Sequence, residues 1–222
     1  MSKLLIGLLS FTIFLAACED PAANKPKATT AEPTGNSAAN AANNSATAMA
    51  PAATGNEMAI TPENSKIVFT GSKVNGKHEG GFNKFSGAID LVDGKADGSS
   101  VWVDIDMTSV FTDADGLTKH LMTGDFFDVA KYPKASFRST RIAADTANGA
   151  NNYSIIGDLE LRGVKKSVTF PATINVTDNN VAVNADFSIN RKNFGIVYAG
   201  KADDLIRDDV VINLELNAPR KK

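Results

Sequence analysis

Few side chains in this sequence can do chemistry. Two histidines and one cysteine are the whole stock of soft ligands in 222 residues. That is too few for a structural zinc site, and no disulfide can form within the chain. His120, with Asp113, Asp115 and Asp125 close in sequence, has the residue types of an imidazole base with an orienting carboxylate, or of a partial metal site. The spacing argues otherwise. The chain has no Gly-x-Ser-x-Gly elbow, no His-Glu-x-x-His pair and no Asp-rich calcium loop ending in glutamate. His120 beside Leu121 reads instead as a residue of a helix face, and Asp104 and Asp106, two apart on one strand face, as solvated outer surface. Four cationic groups could hold the head group of a ligand that carries a phosphate or a carbonyl oxygen: Lys119, His120, Arg138 and Arg191. Arg191 is the strongest of them, because it follows an alternating strand and a guanidinium can grip a phosphate or a carbonyl oxygen. Asp203, Asp204, Asp208 and Asp209 are equally available to hold it in an ordinary salt bridge. No metal and no cofactor is expected. A balance of 23 basic against 25 acidic residues gives no footprint for nucleic acid.

The remaining reactive group, the Cys18 thiol, sits where the composition changes. Lys3 is followed by a largely apolar run from Leu4 to Ala17, the length of a secretory signal and too short to span a bilayer comfortably. Residues 1–17 are expected to be removed. The run ends in Leu15-Ala16-Ala17-Cys18, which resembles the lipobox of bacterial lipoproteins, and that resemblance implies a lipidated Cys18. The alternatives are an ordinary cleavage site with an incidental cysteine, or a buried free thiol, which would be a liability in an oxidising compartment. Glu19, not an aspartate, follows the cysteine. The expected location is therefore the cell envelope, facing the periplasm, with a lean to the outer membrane and attachment through the lipid anchor. From Glu19 to Asn56 there is no aromatic residue, and four of the eight prolines fall here. Residues 18–56 are thus expected to be a lipidated, disordered tether, with a typical reach of roughly 35 Å.

What must position any site is the remainder, residues 57–222, whose signature is period two. Alternation marks strands at Phe85–Leu91, Val101–Met107, Tyr153–Leu161, Val168–Ile174, Val181–Ile189 and Val210–Leu216, with less regular runs near Ile67–Lys73 and Ala135–Ile142. Asp93-Gly94, Asn148-Gly149, Arg162-Gly163 and Asp178-Asn179-Asn180 are turn signals between them. Residues 113–131 read as one short helical insertion. Eight antiparallel strands with one apolar face each can bury those faces by closing into a barrel or by stacking as a sandwich, and an eight-stranded barrel has an interior either filled or able to hold one small ligand.

Four segments in order carry a resemblance: Gly81-Phe82-Asn83-Lys84-Phe85-Ser86-Gly87; His120-Leu121 with Asp125 to Phe137; Gly157 to Val168; and Arg191-Lys192-Asn193-Phe194-Gly195-Ile196. Together they resemble the YceI-like family of lipid-binding domains. The resemblance implies an all-β fold, an eight-stranded antiparallel lipocalin-like barrel. It also implies a lumen that takes an isoprenoid lipid, either an isoprenoid quinone or a polyprenyl phosphate. Two histidines common in the family are Arg162 and Asn64 here.

Inward rows on such a barrel make Phe69, Phe85, Val103, Ile105, Phe137, Ile155, Leu159, Phe170, Val183, Ala185, Phe187, Ile189 and Leu214 the candidate lipid contacts, with Phe126 and Phe127 closing one mouth. A polyprenyl chain offers little but apolar area, so its site must be long and apolar. The small inward residues Gly87, Gly157, Ala172 and Ala185 suggest spare room, although glycine in a strand also marks a bend. Three classes of function follow: a carrier or store of isoprenoid lipid, an enzyme using His120 on a lipid, and a structural barrel with a filled core. Pairing of two barrels as a homodimer is compatible with each.

Overall fold

The computed structural model describes residues 20–33 and 57–220. The elements in chain order are β1 (Thr29–Ala31), β2 (Met58–Ile60), β3 (Lys66–Lys73), β4 (Gly76–Phe82), β5 (Phe85–Val92), β6 (Lys95–Asp106) and β7 (Val110–Thr112). The helix α1 (Asp115–Leu121) precedes β8 (Lys134–Ala144), β9 (Asn152–Leu161), β10 (Val164–Val176) and β11 (Asn180–Asn190). A small hairpin, β12 (Gly200–Lys201) with β13 (Asp204–Leu205), precedes the last strand, β14 (Asp209–Pro219).

All strands but the small hairpin form one antiparallel sheet in the order β2-β5-β6-β8-β9-β10-β11-β14-β3-β4-β7, with β1 on the side of β10. The sheet curls into a lipocalin-like barrel because two of its strands turn a corner. β4 runs into β5 across Asn83 and Lys84, while β6 runs into β7 through a single 3-10 turn at Met107–Ser109. β5 pairs with β6 and β4 with β7, so the same two stretches of chain serve both flanks of the sheet. Hydrogen bonds pin the corner: the Asn83 N–H donates to Ser109 O at 3.1 Å, the Lys84 N–H to Ser109 Oγ at 2.9 Å, and the Asp106 N–H to Lys84 O at 3.0 Å. The eight expected strands are all present. The additional ones arise where bends divide a long strand and where short segments pair with its edges. The tight hairpins fall at two expected turns, Asp93-Gly94 and Arg162-Gly163, where both residues have positive φ as a type I′ turn requires.

The helical expectation over 113–131 is corrected to seven residues. Thr123 and Gly124 follow the C-terminal turn, and the chain from Met122 to Tyr132 is a series of turns tied by backbone bonds such as Phe127 N–H to Leu121 O at 3.0 Å. This loop folds back over the barrel end.

The tether expectation is corrected for Asp20–Pro33, which is docked. β10 and β11 pair only from Thr173–Val176 to Val181–Asn184 and then diverge. The N-terminal segment occupies the gap. β1 pairs antiparallel with β10 (Thr29 opposite Thr169), and Lys27 bridges Ser188 of β11 in parallel, with the Ala28 N–H donating to Ser188 O at 2.8 Å and the Ser188 N–H to Pro26 O at 2.9 Å. Ion pairs Lys25–Asp186 (2.5 Å), Lys27–Asp209 (2.6 Å) and Lys166–Glu32 flank it, and Ala22 and Ala28 are buried. Composition misled here, because backbone groups of an open strand edge attract a partner regardless of how polar its side chains are. Residues 1–19, with the expected signal and Cys18, and residues 34–56 lie outside the described residues.

A tryptic digest checks the docking. The Lys27–Ala28 bond is expected to resist cleavage in the intact chain, and Ala28→Gln, which would force a polar amide against the core, is expected to make that bond at least ten times more susceptible; Lys25, which precedes Pro26, is no tryptic site in either protein. Equal rates in the two proteins would overturn the docked arrangement.

Candidate functional site

The inward faces meet in two apolar clusters. One, with Ile60, Ile89, Leu91, Ile142, Ile174, Val181, Leu216 and Ala218, seals the end of the barrel near the β5–β6 and β10–β11 turns. The other, with Val110, Leu121, Phe126 and Ile196, lies under α1 and the segment 196–206. Between them is a cavity of about 230 Å³. Its walls are aliphatic and aromatic, and Arg191 contributes the only charged side chain. For scale, a dry cavity of about 150 Å³ holds benzene, and drug-sized sites start at about 300 Å³.

The period-two logic explains how the cavity stays open. Phe137, Leu159, Ile212 and Leu214 face inward on neighbouring strands, yet are only partly buried. Their tips border empty lumen. Phe170 and Phe187 stack at 4.3 Å with rings 10° apart, spanning the β10–β11 gap from inside, and Phe137 packs against Phe170 at 5.7 Å. Toward the α1 end, Phe69, Phe82 and Phe127 form a triangle with ring centroids 5.8 to 6.3 Å apart.

Every expected lumen residue lines this cavity except Phe85 and Ala185. Both face inward, but Phe85 is packed into the β4–β5 corner and Ala185 is too short to reach past its cross-strand neighbour Leu214. The glycines read as room-makers also differ in role. A Cβ on Gly157 would lie 2.4 Å from the Phe137 ring, and one on Gly87 would lie 2.3 Å from Trp102 O, so both permit close packing and neither lines the cavity. The residue that leaves space is Gly71 on β3. It borders the cavity, and a Cβ built there would meet nothing within 4 Å. Sequence reasoning missed it because β3 alternates irregularly and an isolated glycine signals nothing about what it faces.

Of the four head-group candidates only Arg191 borders the cavity. It is 4% exposed, and its guanidinium donates to Arg207 O (3.0 Å), Ile196 O (2.8 Å) and Ile206 O (3.3 Å), with Asp208 Oδ1 at 3.4 Å. Burial pushes its pKa down and Asp208 opposes this. The expected alternative of a salt bridge is a minor part of the arrangement; three carbonyls take most of the donors, and the segment 196–208 is folded around them. Arg138 lies on the outer face, bound to Asp104 (2.7 Å) and over the Trp102 ring (5.1 Å). Lys119 is exposed on α1. Arg162, which replaces a family histidine, donates to Gly195 O (2.7 Å) and Gly124 O (2.8 Å), fastening the β9–β10 turn to the two loops that cover the lumen.

His120 does not face the cavity either. Its Nε2 lies 2.9 Å from Asp125 Oδ2, and its ring meets Phe126 and Tyr198 edge-on at 5.0 and 5.1 Å. It joins α1 to the segment 196–206. Asp113 is instead the partner of His78, at 2.8 Å, and also accepts from the Glu79 N–H at 3.2 Å. Those bonds, His78 first, hold the Asp113 carboxyl below the usual carboxylate range. A depressed carboxylate stabilises the fold fully above its unfolded pKa of about 3.9, and this contribution is lost as pH falls through the lower folded value. His78→Phe is expected to return the Asp113 titration toward its ordinary midpoint in a carbon-detected NMR titration. An unchanged midpoint would remove His78 as the cause. Among the described residues no three His, Cys, Asp or Glu side chains gather as a metal site.

Comparison with known proteins agrees with this geometry. The YceI-like domain matches residues 58–218. A UPF0312 protein of Pseudomonas putida strain W619 is 32% identical over 139 residues, covering 60% of this chain and 71% of that protein. The crystal structure of Burkholderia cenocepacia BcnA superposes with a TM-score of 0.63 at 27% identity, covering 72% of this chain and 99% of that one. A polyisoprenoid-binding domain from Saccharophagus degradans, implicated in plant cell wall breakdown, has the same fold at a TM-score of 0.57 and 17% identity, covering 74% and 99%. With its barrel, its covering loops and the matched span of nearly the whole folded part, the chain belongs to the YceI-like domain family.

Proposed function

We propose that this protein is a binding protein that holds a long isoprenoid lipid, an isoprenoid quinone or a polyprenyl phosphate, with its prenyl chain in the barrel lumen. The observation that carries the proposal is the chemistry of the cavity wall. It is apolar throughout, and its one charged side chain is committed to backbone carbonyls. Such a site rewards apolar area at about 25 cal/mol per Å² and has no directed group for a sugar, peptide or nucleotide. A relative of the same fold is a polyisoprenoid-binding domain, and the match over residues 58–218 supports carrying that ligand class across. The lumen at about 230 Å³ takes only part of a long chain, so the rest is accommodated by movement of Phe69, Phe82 and Phe127 or lies at the mouth. A filled structural barrel would have no such cavity, and an enzyme using His120 would need its imidazole in the lumen. We further propose that Cys18 is acylated and that the protein works in the cell envelope facing the periplasm, carrying or sheltering its lipid without chemical change.

Native mass spectrometry of the protein purified without detergent, followed by extraction, tests the ligand: a bound isoprenoid at near-stoichiometric occupancy is expected. Repeated recovery of an empty lumen that also refuses added quinone and polyprenyl phosphate would overturn it. For the anchor, Cys18→Ser is expected to shift the protein from the membrane to the soluble fraction or leave an unprocessed precursor; unchanged membrane association would refute acylation.

A further inference from the structure

Beside the lumen's α1 end, three large apolar side chains stand in solvent: Val74 (52% exposed), Val197 (65%) and Leu205 (49%). They are three of the five large hydrophobic residues so exposed among the described residues. Each is close in the chain to a wall of the cavity. Leu205 precedes Ile206, Val197 follows Ile196, and Val74 is the third residue after Gly71; Ile206, Ile196 and Gly71 all line the lumen. The loops that carry them are joined. The Val74 N–H donates to Leu205 O at 3.2 Å, Lys73 bridges to Ile206, and Lys73 is ion-paired with Asp204. One side of this end is therefore lumen and the other is an apolar rim.

The docked N-terminal segment reaches the same end. Asp20 Oδ2 accepts from Arg207 Nη1 at 3.3 Å, and the Arg207 N–H donates to Ser72 O at 2.9 Å. Asp20 is two residues from Cys18, a stretch of at most about 7 Å. A chain that meets the bilayer at Cys18 thus brings the lumen's mouth with it. Fixed charges around the rim offset one another: Lys73 is held by Asp204, Lys77 lies 3.9 Å from Glu79, and Lys201 is close in the chain to Asp203. The rim is suited to the uncharged interfacial zone of a bilayer rather than to a strongly anionic surface.

The geometry points to this end of the barrel as a bilayer-docking face, with Val74, Val197 and Leu205 seated in the interface and the lumen opening onto the acyl chains. The inference rests on the isoprenoid reading of the lumen and on anchoring at Cys18. It explains how a chain that is insoluble in water could enter: the prenyl tail passes from bilayer to lumen without crossing solvent. Three small apolar tips bind a membrane weakly on their own, and the covalent anchor supplies the second attachment that stable association needs.

The test uses the full chain reconstituted in phosphatidylcholine vesicles with brominated acyl chains. A thiol-reactive fluorophore is placed at Val197→Cys, at Leu205→Cys and, as the control, at Val92→Cys. Val92 is 45% exposed and follows Leu91 at the sealed end. Bromine quenching at positions 197 and 205 is expected to exceed that at 92 several-fold. Equal quenching at all three, or none at 197 and 205, would overturn docking. The unsubstituted chain should take up no label if the Cys18 sulfur carries lipid; uptake would instead overturn the anchoring reading alone. In a second measurement, Val197→Asp with Leu205→Asp is expected to slow transfer of an isoprenoid quinone from vesicles at least tenfold, while binding of quinone delivered in detergent is unchanged. If neither changes, docking falls and the lumen reading stands. If the unaltered chain binds no quinone from detergent, the lumen reading falls and the quenching depths alone decide docking.

Discussion

Gly71→Trp is expected to weaken isoprenoid binding roughly fifty- to hundredfold while changing the stability of the empty protein little. Gly71 borders the lumen on β3, and a Cβ there meets nothing within 4 Å, so a side chain at this position starts into the cavity without a clash at its base. The backbone contribution favours the variant as well, because glycine within a strand costs about 0.5–1 kcal/mol relative to alanine. The indole would occupy much of a cavity of about 230 Å³. If it denies the ligand about 100 Å² of apolar contact, the loss is about 2.5 kcal/mol, or roughly fifty- to hundredfold in affinity. Thermal unfolding of the lipid-free protein and a quinone titration read the two halves separately. Ala185→Phe makes the useful contrast, since Ala185 is 5% exposed and does not border the cavity. Overpacking there should cost about 1–3 kcal/mol of stability. Normal quinone binding by folded Gly71→Trp would mean that the ligand lies elsewhere.

The second large effect is expected at Arg191, and it falls on stability. Removing the guanidinium leaves the buried carbonyls of Ile196, Ile206 and Arg207 without their donor, at about 1–3 kcal/mol for each group left unsatisfied. Allowing for partial relaxation, Arg191→Met should lose about 3–5 kcal/mol, a fall of about 6–20 °C in Tm for a domain of this size. Arg191→Lys should recover little, because one ammonium cannot reproduce three donors spread over a planar fork. A head-group role makes the opposite forecast: the lysine variant would fold normally and lose affinity for polyprenyl phosphate more than for quinone. Measuring Tm and both affinities on the two variants separates these outcomes.

The strands were legible in the sequence for a simple reason, and the family resemblance chose their closure into a barrel. A strand with one buried face writes its orientation into every second residue, and six such rows can be read without knowing their partners, while β3 and β8 alternate less regularly. Most of the lumen followed from the same rule, from Phe69 and Val103 through Phe187 and Leu214. The turns at Asp93-Gly94 and Arg162-Gly163 were legible because positive φ at consecutive residues favours few side chains.

What the tertiary structure alone decided concerns partners distant in the chain. Whether Phe85 or Ala185 reaches the cavity depends on cross-strand neighbours, and whether Gly157 or Gly71 makes room depends on which ring or empty space lies opposite. His120 and Asp113 looked like one site and belong to two, because β4 delivers His78 to Asp113 across 35 residues. Arg191 read as a ligand for a head group or a carboxylate and proved to be the centre on which the segment 196–208 is folded. The polar, proline-containing stretch Asp20–Pro33 carried no strand signal of its own, yet it docks where β10 and β11 part. Period and composition report what a residue needs from water, and the sequence determined that much; which backbone edge, carbonyl or void meets that residue is settled only when the sheet closes.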